Sequence, residues 1–254
     1  MKSPLLSLFV LRFASCLWAT LALLLLATQG TQAAVSPEAQ KVIDAHIQAV
    51  GGREKLEAIH CRITKGTLSM PAQGMQLALV SYAEAPNRMA VHTEIPGLGT
   101  SISGFDGETG WEQNPMTGFR KIEGDELLQL KRYSQISIEL SLESLYASID
   151  RVDDEDGLTV LELKTSNGKT ERWFFDPKTH RLSRTDMVMD AGPLGSIPVK
   201  VLLEDYRQVD GMMIAFRTIL RNPAFEAITQ YETISHPDSI DPELFAIPDA
   251  SGTD

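Results

Sequence analysis

The 254-residue sequence predicts a mainly β fold, a long antiparallel meander of about eleven strands, curled toward a barrel and covered by α-helices. Three observations carry that expectation. Apolar and polar residues alternate with period two through two blocks, Cys61 to about Ile122 and Leu158 to Ile234, the mark of strands with one dry and one wet face. Turn signals punctuate both blocks, among them Pro86-Asn87, Asp106-Gly107, Asn167-Gly168 and Asp210-Gly211. Only two stretches, 36–58 and 124–147, keep helical spacing, and no linker, repeat or low-complexity segment divides the chain.

Residues 1–33 read as a cleaved secretory signal. Lys2 and Arg12 are the only charges before Glu38, Phe13 to Ala27 is an almost unbroken apolar run, and Thr31-Gln32-Ala33 offers the small residues that a signal peptidase needs. The run is short of the ~20 residues that span a bilayer. Cys16 lies before most of the apolar core, whereas a lipoprotein cleavage site would close it. Residues 34–254 are expected to form one domain. Its lone thiol, Cys61, excludes an intramolecular disulfide, so the core must hold the fold. Losing Lys2 and Arg12 takes the net charge from −11 to −13, which disfavours nucleic acid and anionic lipid surfaces and suits a protein that meets basic partners.

Ser36-Pro37-Glu38 supplies an N-cap, a proline at the first helical position and an acidic first turn. Val42, Ile43, His46, Ile47 and Val50 then form one apolar stripe that Gly51-Gly52 ends, and a helical turn over Arg53 to Ala58 leads into the sheet. In the first block Met75, Leu77 and Leu79 share one face, as do Met89, Val91 and Thr93, and the Asp106-Gly107 turn delivers Trp111 just beyond a hairpin. In residues 124–147 Ile136, Ile138, Leu140 and Leu142 fit a strand as well as a helix. The acidic Asp125-Glu126 start and the spacing of Leu127, Leu130 and Lys131 nonetheless favour one or two short helices, lying as a lid over an open sheet face. In the second block Trp173, Phe175, Met187, Val201, Leu203 and Phe216 fall on one face, with Arg172, Lys200, Glu204 and Arg217 on the other. A curled sheet of this size is too large for side chains alone to fill.

Pro86-Asn87, the run Phe105-Asp106-Gly107-Glu108-Thr109-Gly110-Trp111 with Asn114-Pro115, and the closing Leu244-Phe245-Ala246-Ile247-Pro248 together resemble the periplasmic carriers of outer-membrane lipoproteins, the LolA-like family. There an Arg-Pro-Asn turn, a Ser-Asp-Gly-Lys hairpin followed by Trp, and a terminal Phe-x-x-Pro stand in the same order. The resemblance implies an incomplete antiparallel β-barrel with helices over its opening and lipid acyl chains held between. It also implies a periplasmic location, a lipoprotein or lipid as cargo, and membrane-protein donors and acceptors. The family arginine that helps hold the lid is Ala85 here, with Arg88 two positions past the proline. Relatives of the same fold act as envelope sensors, which is the alternative reading.

The candidate lipid-binding residues are Leu77, Leu79, Met89, Val91, Trp111, Trp173, Phe175, Met187, Val201, Leu203 and Phe216. A lining of methionines and aromatics adapts to flexible chains, and each buried methylene stabilises by about 0.8 kcal/mol. No catalytic group, metal or cofactor is expected, and the protein is expected to be a monomer. The five histidines form no ligand-spaced pair, there is no HExxH or CxxC, and His60 and Cys61 point to opposite faces of a strand. Asp186 and Asp205 have Arg184 and Arg207 at hand and read as ion-paired surface groups.

Overall fold

The computed structural model describes residues 34–190, 192 and 195–248. The expected signal segment and the turn residues Pro193 and Leu194 lie outside them. Fourteen strands form one sheet, in the order β1-β8-β9-β10-β11-β12-β13-β14-β2-β3-β4-β5-β6-β7. They are β1 (Ala34–Val35), β2 (Cys61–Met70), β3 (Met75–Glu84), β4 (Arg88–Ile95), β5 (Gly99–Phe105), β6 (Gly110–Asn114), β7 (Gly118–Ile122), β8 (Ser148–Glu155), β9 (Leu158–Lys164), β10 (Thr170–Phe175), β11 (Leu182–Asp190), β12 (Ser196–Val209), β13 (Met212–Arg221) and β14 (Glu226–Ser235). The helices are α1 (Pro37–Ala49), α2 (Arg53–Glu57), α3 (Gly124–Tyr133) and α4 (Leu142–Leu145), with a 3-10 turn over Ile138–Leu140.

The fold is therefore the expected open antiparallel sheet with covering helices, but it has fourteen strands rather than about eleven. The strand most clearly missed by period-two reading is β8. Its sequence, Ser-Ile-Asp-Arg-Val-Asp-Asp-Glu, has five charged residues and only Ile149 and Val152 as apolar ones, so alternation is faint. Ile149 alone carries it into the core, fully buried beneath α1. β1 pairs with β8 in parallel, while every other strand pair is antiparallel.

α1 forms where its caps and stripe require. Ser36 Oγ accepts from Ala39 N at 3.3 Å, Pro37 occupies the first turn, and Ala39, Ile43, His46 and Ile47 are the buried stripe. That stripe packs on Ile149, Leu161, Leu163, Trp173 and Phe175, which project from the same face of β8, β9 and β10. This is the main core.

The sheet is strongly curled. Six strands separate β11 from β5, which in a flat sheet would place them roughly 34 Å apart at about 4.8 Å per strand. Yet Met187 of β11 and Ser103 of β5 line one cavity beside α3. The sheet thus wraps α3 and the residues after it. The 3-10 turn and α4 complete the short helical insertion expected over 124–147.

Candidate functional site

α3 is a crosspiece tied to both arms of the curled sheet. On one arm Arg120 of β7 donates to Glu112 at 2.8 Å and to both carboxylate oxygens of Glu126 on α3 at 2.8 and 2.7 Å. Gly110 of β6 lets α3 lie close, since a Cβ there would sit 2.7 Å from Leu130. On the other arm Lys169 bridges Asp125 at 3.0 Å and Asp190 at 2.6 Å, while Gln129 Oε1 accepts from Asp190 N at 2.8 Å.

Beneath the C-terminal half of α3 lies a buried polar node. Glu171 accepts hydrogen bonds from Tyr133 (2.7 Å), Tyr146 (2.6 Å) and Arg132 (3.1 Å). The side chains of Arg132 and Glu171 are 8% and 3% exposed, so each charge depends on the other for compensation. Burial, together with the adjacent carboxylate, pushes both phenols well above their ordinary pKa. They therefore stay protonated and act as donors. The node fixes where the insertion enters and leaves the hollow.

Among the described residues, three cavities lie between the insertion and the inner face of the sheet. The largest, about 310 Å³, is walled by Val50, Leu56, Trp173, Leu182, Leu203, Met212 and Ile214 and roofed by Ile136, Ile138 and Glu139. The second, about 270 Å³, has Met89, Ala83, Ile214 and Ile234 in its wall. These two share Arg62, Gln135, Ile136, Ile214 and Tyr231, so they meet at a neck beneath residues 135 and 136. The third, about 280 Å³, lies on the far side of Tyr133 and is lined by Leu130, Met187, Met189, Val199, Val201 and Leu220. Each is larger than the ~150 Å³ apolar cavity that accepts a benzene ring. At the neck Arg62 Nη1 donates to the Ile136 carbonyl at 3.3 Å and holds the roof down.

Of the eleven residues expected from sequence, five line these cavities: Met89, Trp173, Met187, Val201 and Leu203. Phe175 lies on the same face but is core, its ring edge-on to His46 of α1 at 5.2 Å. Leu77, Leu79 and Val91 share the inner face with Ser81, Ala83 and Met89 by strand register, beyond the three cavity linings.

Two of the expected residues sit elsewhere in the fold. Trp111 pairs with Gly104, which pairs with Ala90, placing it on the outer face. It lies flat over Gly104, where a Cβ would come within 2.3 Å of the indole. A turn of four residues, Asp106 to Thr109, sets that register, and Gly110 rather than Trp111 faces inward. Phe216 is buried under the guanidinium of Arg207, 4.6 Å from the ring centre, and is absent from the three linings. The backbone of β12 has a positive φ at Asp205, beside Phe216, which interrupts simple alternation there.

The outer face has its own small core. Cys61, Ala90 and Tyr82 receive Ile240, Leu244 and Phe245 of the C-terminal segment. Arg88 lies 4.6 Å over the Phe245 ring and pairs with Glu84. It therefore clamps the C-terminal segment and does not take over the lid contact expected of the family arginine. The hydrogen bond to the covering segment comes from Arg62, whose Nη1 donates to the Ile136 carbonyl. Cys61 is buried, and burial pushes its thiol pKa up, away from a reactive thiolate. Asp186 and Asp205 pair with Arg184 at 2.9 Å and Arg207 at 2.6 Å, as their sequence neighbours suggest.

No family model and no curated protein matches the chain. Solved structures do. A DUF1329 family protein from Desulfovibrio piger superposes with a TM-score of 0.56 at 9% identity, over 82% of this chain and 96% of its own. A LolA superfamily protein from Nitrosomonas europaea gives 0.53 at 12%, over 82% and 97%. The fold is LolA-like. A Vibrio parahaemolyticus domain described as an outer membrane lipoprotein-sorting protein gives 0.56 at 11%, over 81% and 96%. At these identities the likeness establishes the LolA-like sheet and leaves the cargo to be argued from the cavities. Among the described residues, no helix is long and apolar enough to cross a membrane.

Sequence reasoning missed Arg62, Glu171, Tyr133 and Tyr146. Glu171 was legible in part, since it keeps parity with Trp173 and Phe175 and so had to face inward. Arg62 alternates with Thr64 and Gly66, a pattern that looks like a solvated face until the strand is placed in the hollow.

Proposed function

We propose that the protein is a non-enzymatic carrier that holds lipid acyl chains in the hollow of its LolA-like sheet. The observation that carries this reading is a set of three cavities between the sheet and the 124–145 insertion, about 310 and 280 Å³ with mainly apolar walls and about 270 Å³ with a mixed wall. Side chains of ordinary size leave them open, and their apolar walls favour hydrocarbon over water. At about 0.8 kcal/mol per buried methylene, a long acyl chain gains on the order of 10 kcal/mol before chain ordering is subtracted. In this reading residues 1–33 direct export, residues 34–254 are the carrier domain, and the protein works as a monomer in the periplasm. It receives a lipid or lipoprotein from one membrane protein and passes it to another. The solved LolA superfamily and lipoprotein-sorting structures support the assignment by fold.

Native mass spectrometry of the purified protein should show a co-purified lipid, and a fluorescent long-chain probe should bind and be displaced by it. Met187→Asp and Leu203→Asp each put a charge into a cavity wall and should abolish probe binding. Val188→Asp, one residue along β11 and pointing to the outer face at 38% exposure, should leave binding intact. A protein that takes up no acyl probe, or one in which all three variants behave alike, would overturn the reading.

A further inference from the structure

The inner face carries one charge that the acyl reading does not use. Arg62 of β2 lines both the 310 and the 270 Å³ cavities, at their neck. Its Nε donates to His236 Nε2 at 3.2 Å and its Nη1 to the Ile136 carbonyl at 3.3 Å. The first bond requires a neutral His236 that carries its proton on Nδ1, which donates to Asp210 at 2.8 Å. Both partners of Arg62 are thus uncharged. Among the described residues no carboxylate lies within 4.0 Å of the guanidinium, and Nη2 has no hydrogen-bond partner.

The contrast with Arg132 is instructive. That arginine, buried where Arg62 is half-buried, is met by Glu171 at 3.1 Å. The acid that favours the Arg62 charge is Glu139, which lines the same cavity without forming an ion pair with it. Burial pushes the Arg62 pKa down, although an arginine keeps its charge. A half-buried guanidinium that no carboxylate pairs with directly keeps donors to spare, and its fork matches an oxyanion. Because the protein as a whole is acidic, its long-range field repels anions. A preference for an anion at this neck must therefore come from Arg62 itself.

We propose that the cargo is a single-chain amphiphile headed by an oxyanion, a carboxylate or a phosphate monoester. The head would sit on Arg62 beside Gln135 and Tyr231, and the hydrocarbon would run along Trp173, Leu203 and Met212 in one direction or Met89 and Ile234 in the other. This rests on the acyl-chain reading and adds the chemistry of the head. It also couples cargo to cover, since an oxyanion competes for the guanidinium that now holds the Ile136 carbonyl.

The test uses the full mature chain, stripped of lipid, and three probes of equal chain length: hexadecanoate, hexadecyl phosphate and hexadecanol. Binding is read by displacement of a neutral fluorescent chain. One or both anions should bind at least about tenfold more tightly than the alcohol, as a charge-assisted hydrogen bond allows. Which anion binds identifies the head. Arg62→Gln should erase the difference while keeping alcohol binding, and Arg62→Lys should retain part of it. Equal binding of all three probes by the unaltered protein overturns the head-group assignment and leaves the acyl reading standing. Binding of none overturns both. If Arg62→Gln does not fold, the comparison of probes on the unaltered protein still decides.

Discussion

The two ends of the hollow are built from the same alternating strands but end differently. At the β8–β10 end a thirteen-residue helix with a continuous apolar stripe lies on the sheet, and Ile43, Ile47, Leu161, Leu163, Trp173 and Phe175 fill the space between. Leu142 of α4 also packs into this filled end. From β12 through β4 the cover is the non-helical bend over residues 134–137 and one edge of a three-residue 3-10 turn, too short to present a second stripe. There the inner face keeps its cavities and its polar groups, Arg62, Thr64 and Ser81. A long amphipathic helix over a sheet gives a core, whereas an interrupted one gives a hollow. Stability should therefore reside at the first end and ligand binding at the second.

Substitution of Trp173 should show the largest effect on folding. The ring is 2% exposed at the boundary of the filled end, edge-on to Tyr146 at 6.4 Å, with Phe175 6.5 Å away. Trp173→Ala removes that packing and leaves a cavity the surrounding strands cannot close, so chemical denaturation should report a loss of about 3–5 kcal/mol. A loss below about 1 kcal/mol would mean that this end is not the stabilising core and would dissolve the contrast.

Acid sensitivity should follow the same division. His46 sits in the filled end, 7% exposed, its Nδ1–H donating to the His180 carbonyl at 3.0 Å. Burial lowers its pKa from 6.5, against smaller raising influences of Glu139 and the His180 carbonyl. The unfolded chain therefore takes up a proton at a pH where the folded chain does not. Stability is undiminished by this group above about pH 6.5 and falls as pH drops below it, by at most about 1.4 kcal/mol per pH unit until the folded pKa is reached. Thermal melts at pH 7.5 and 5.5 should show that loss, and His46→Gln should flatten it. An unchanged pH slope in the variant would assign the effect elsewhere.

How far these two ends could be read from the sequence differs for a physical reason. α1 was fully legible, because an N-cap serine, a first-turn proline, one stripe and a Gly-Gly stop all agree. The meander was legible wherever alternation met clear turns. β8 was not, since an edge-proximal strand with one buried residue needs little apolar content. Trp111 was placed on the wrong face because the length of the Asp106–Thr109 turn sets the register, and alternation within β6 carries no sign of which side is inward. In the hollow, Arg62 and Glu171 obey inward parity while having outward chemistry. Composition cannot distinguish such groups from solvated ones until the insertion is seen lying over them.

The smallest change in stability should come from the wall of the hollow. Met89 faces the 270 Å³ cavity, so part of its side chain already borders open space rather than packed atoms. Met89→Ala then forfeits fewer contacts than a core truncation and enlarges a void that exists, with an expected loss under about 1 kcal/mol. Probe binding should respond more than folding does. The wider wall grips a straight sixteen-carbon chain less closely, while a chain with a bulky branch gains room. A several-fold fall in hexadecanoate affinity, with the melting temperature nearly unchanged, would separate binding from stability at one residue. A loss as large as that of Trp173→Ala would instead make Met89 part of a filled core, and the hollow would close at this point.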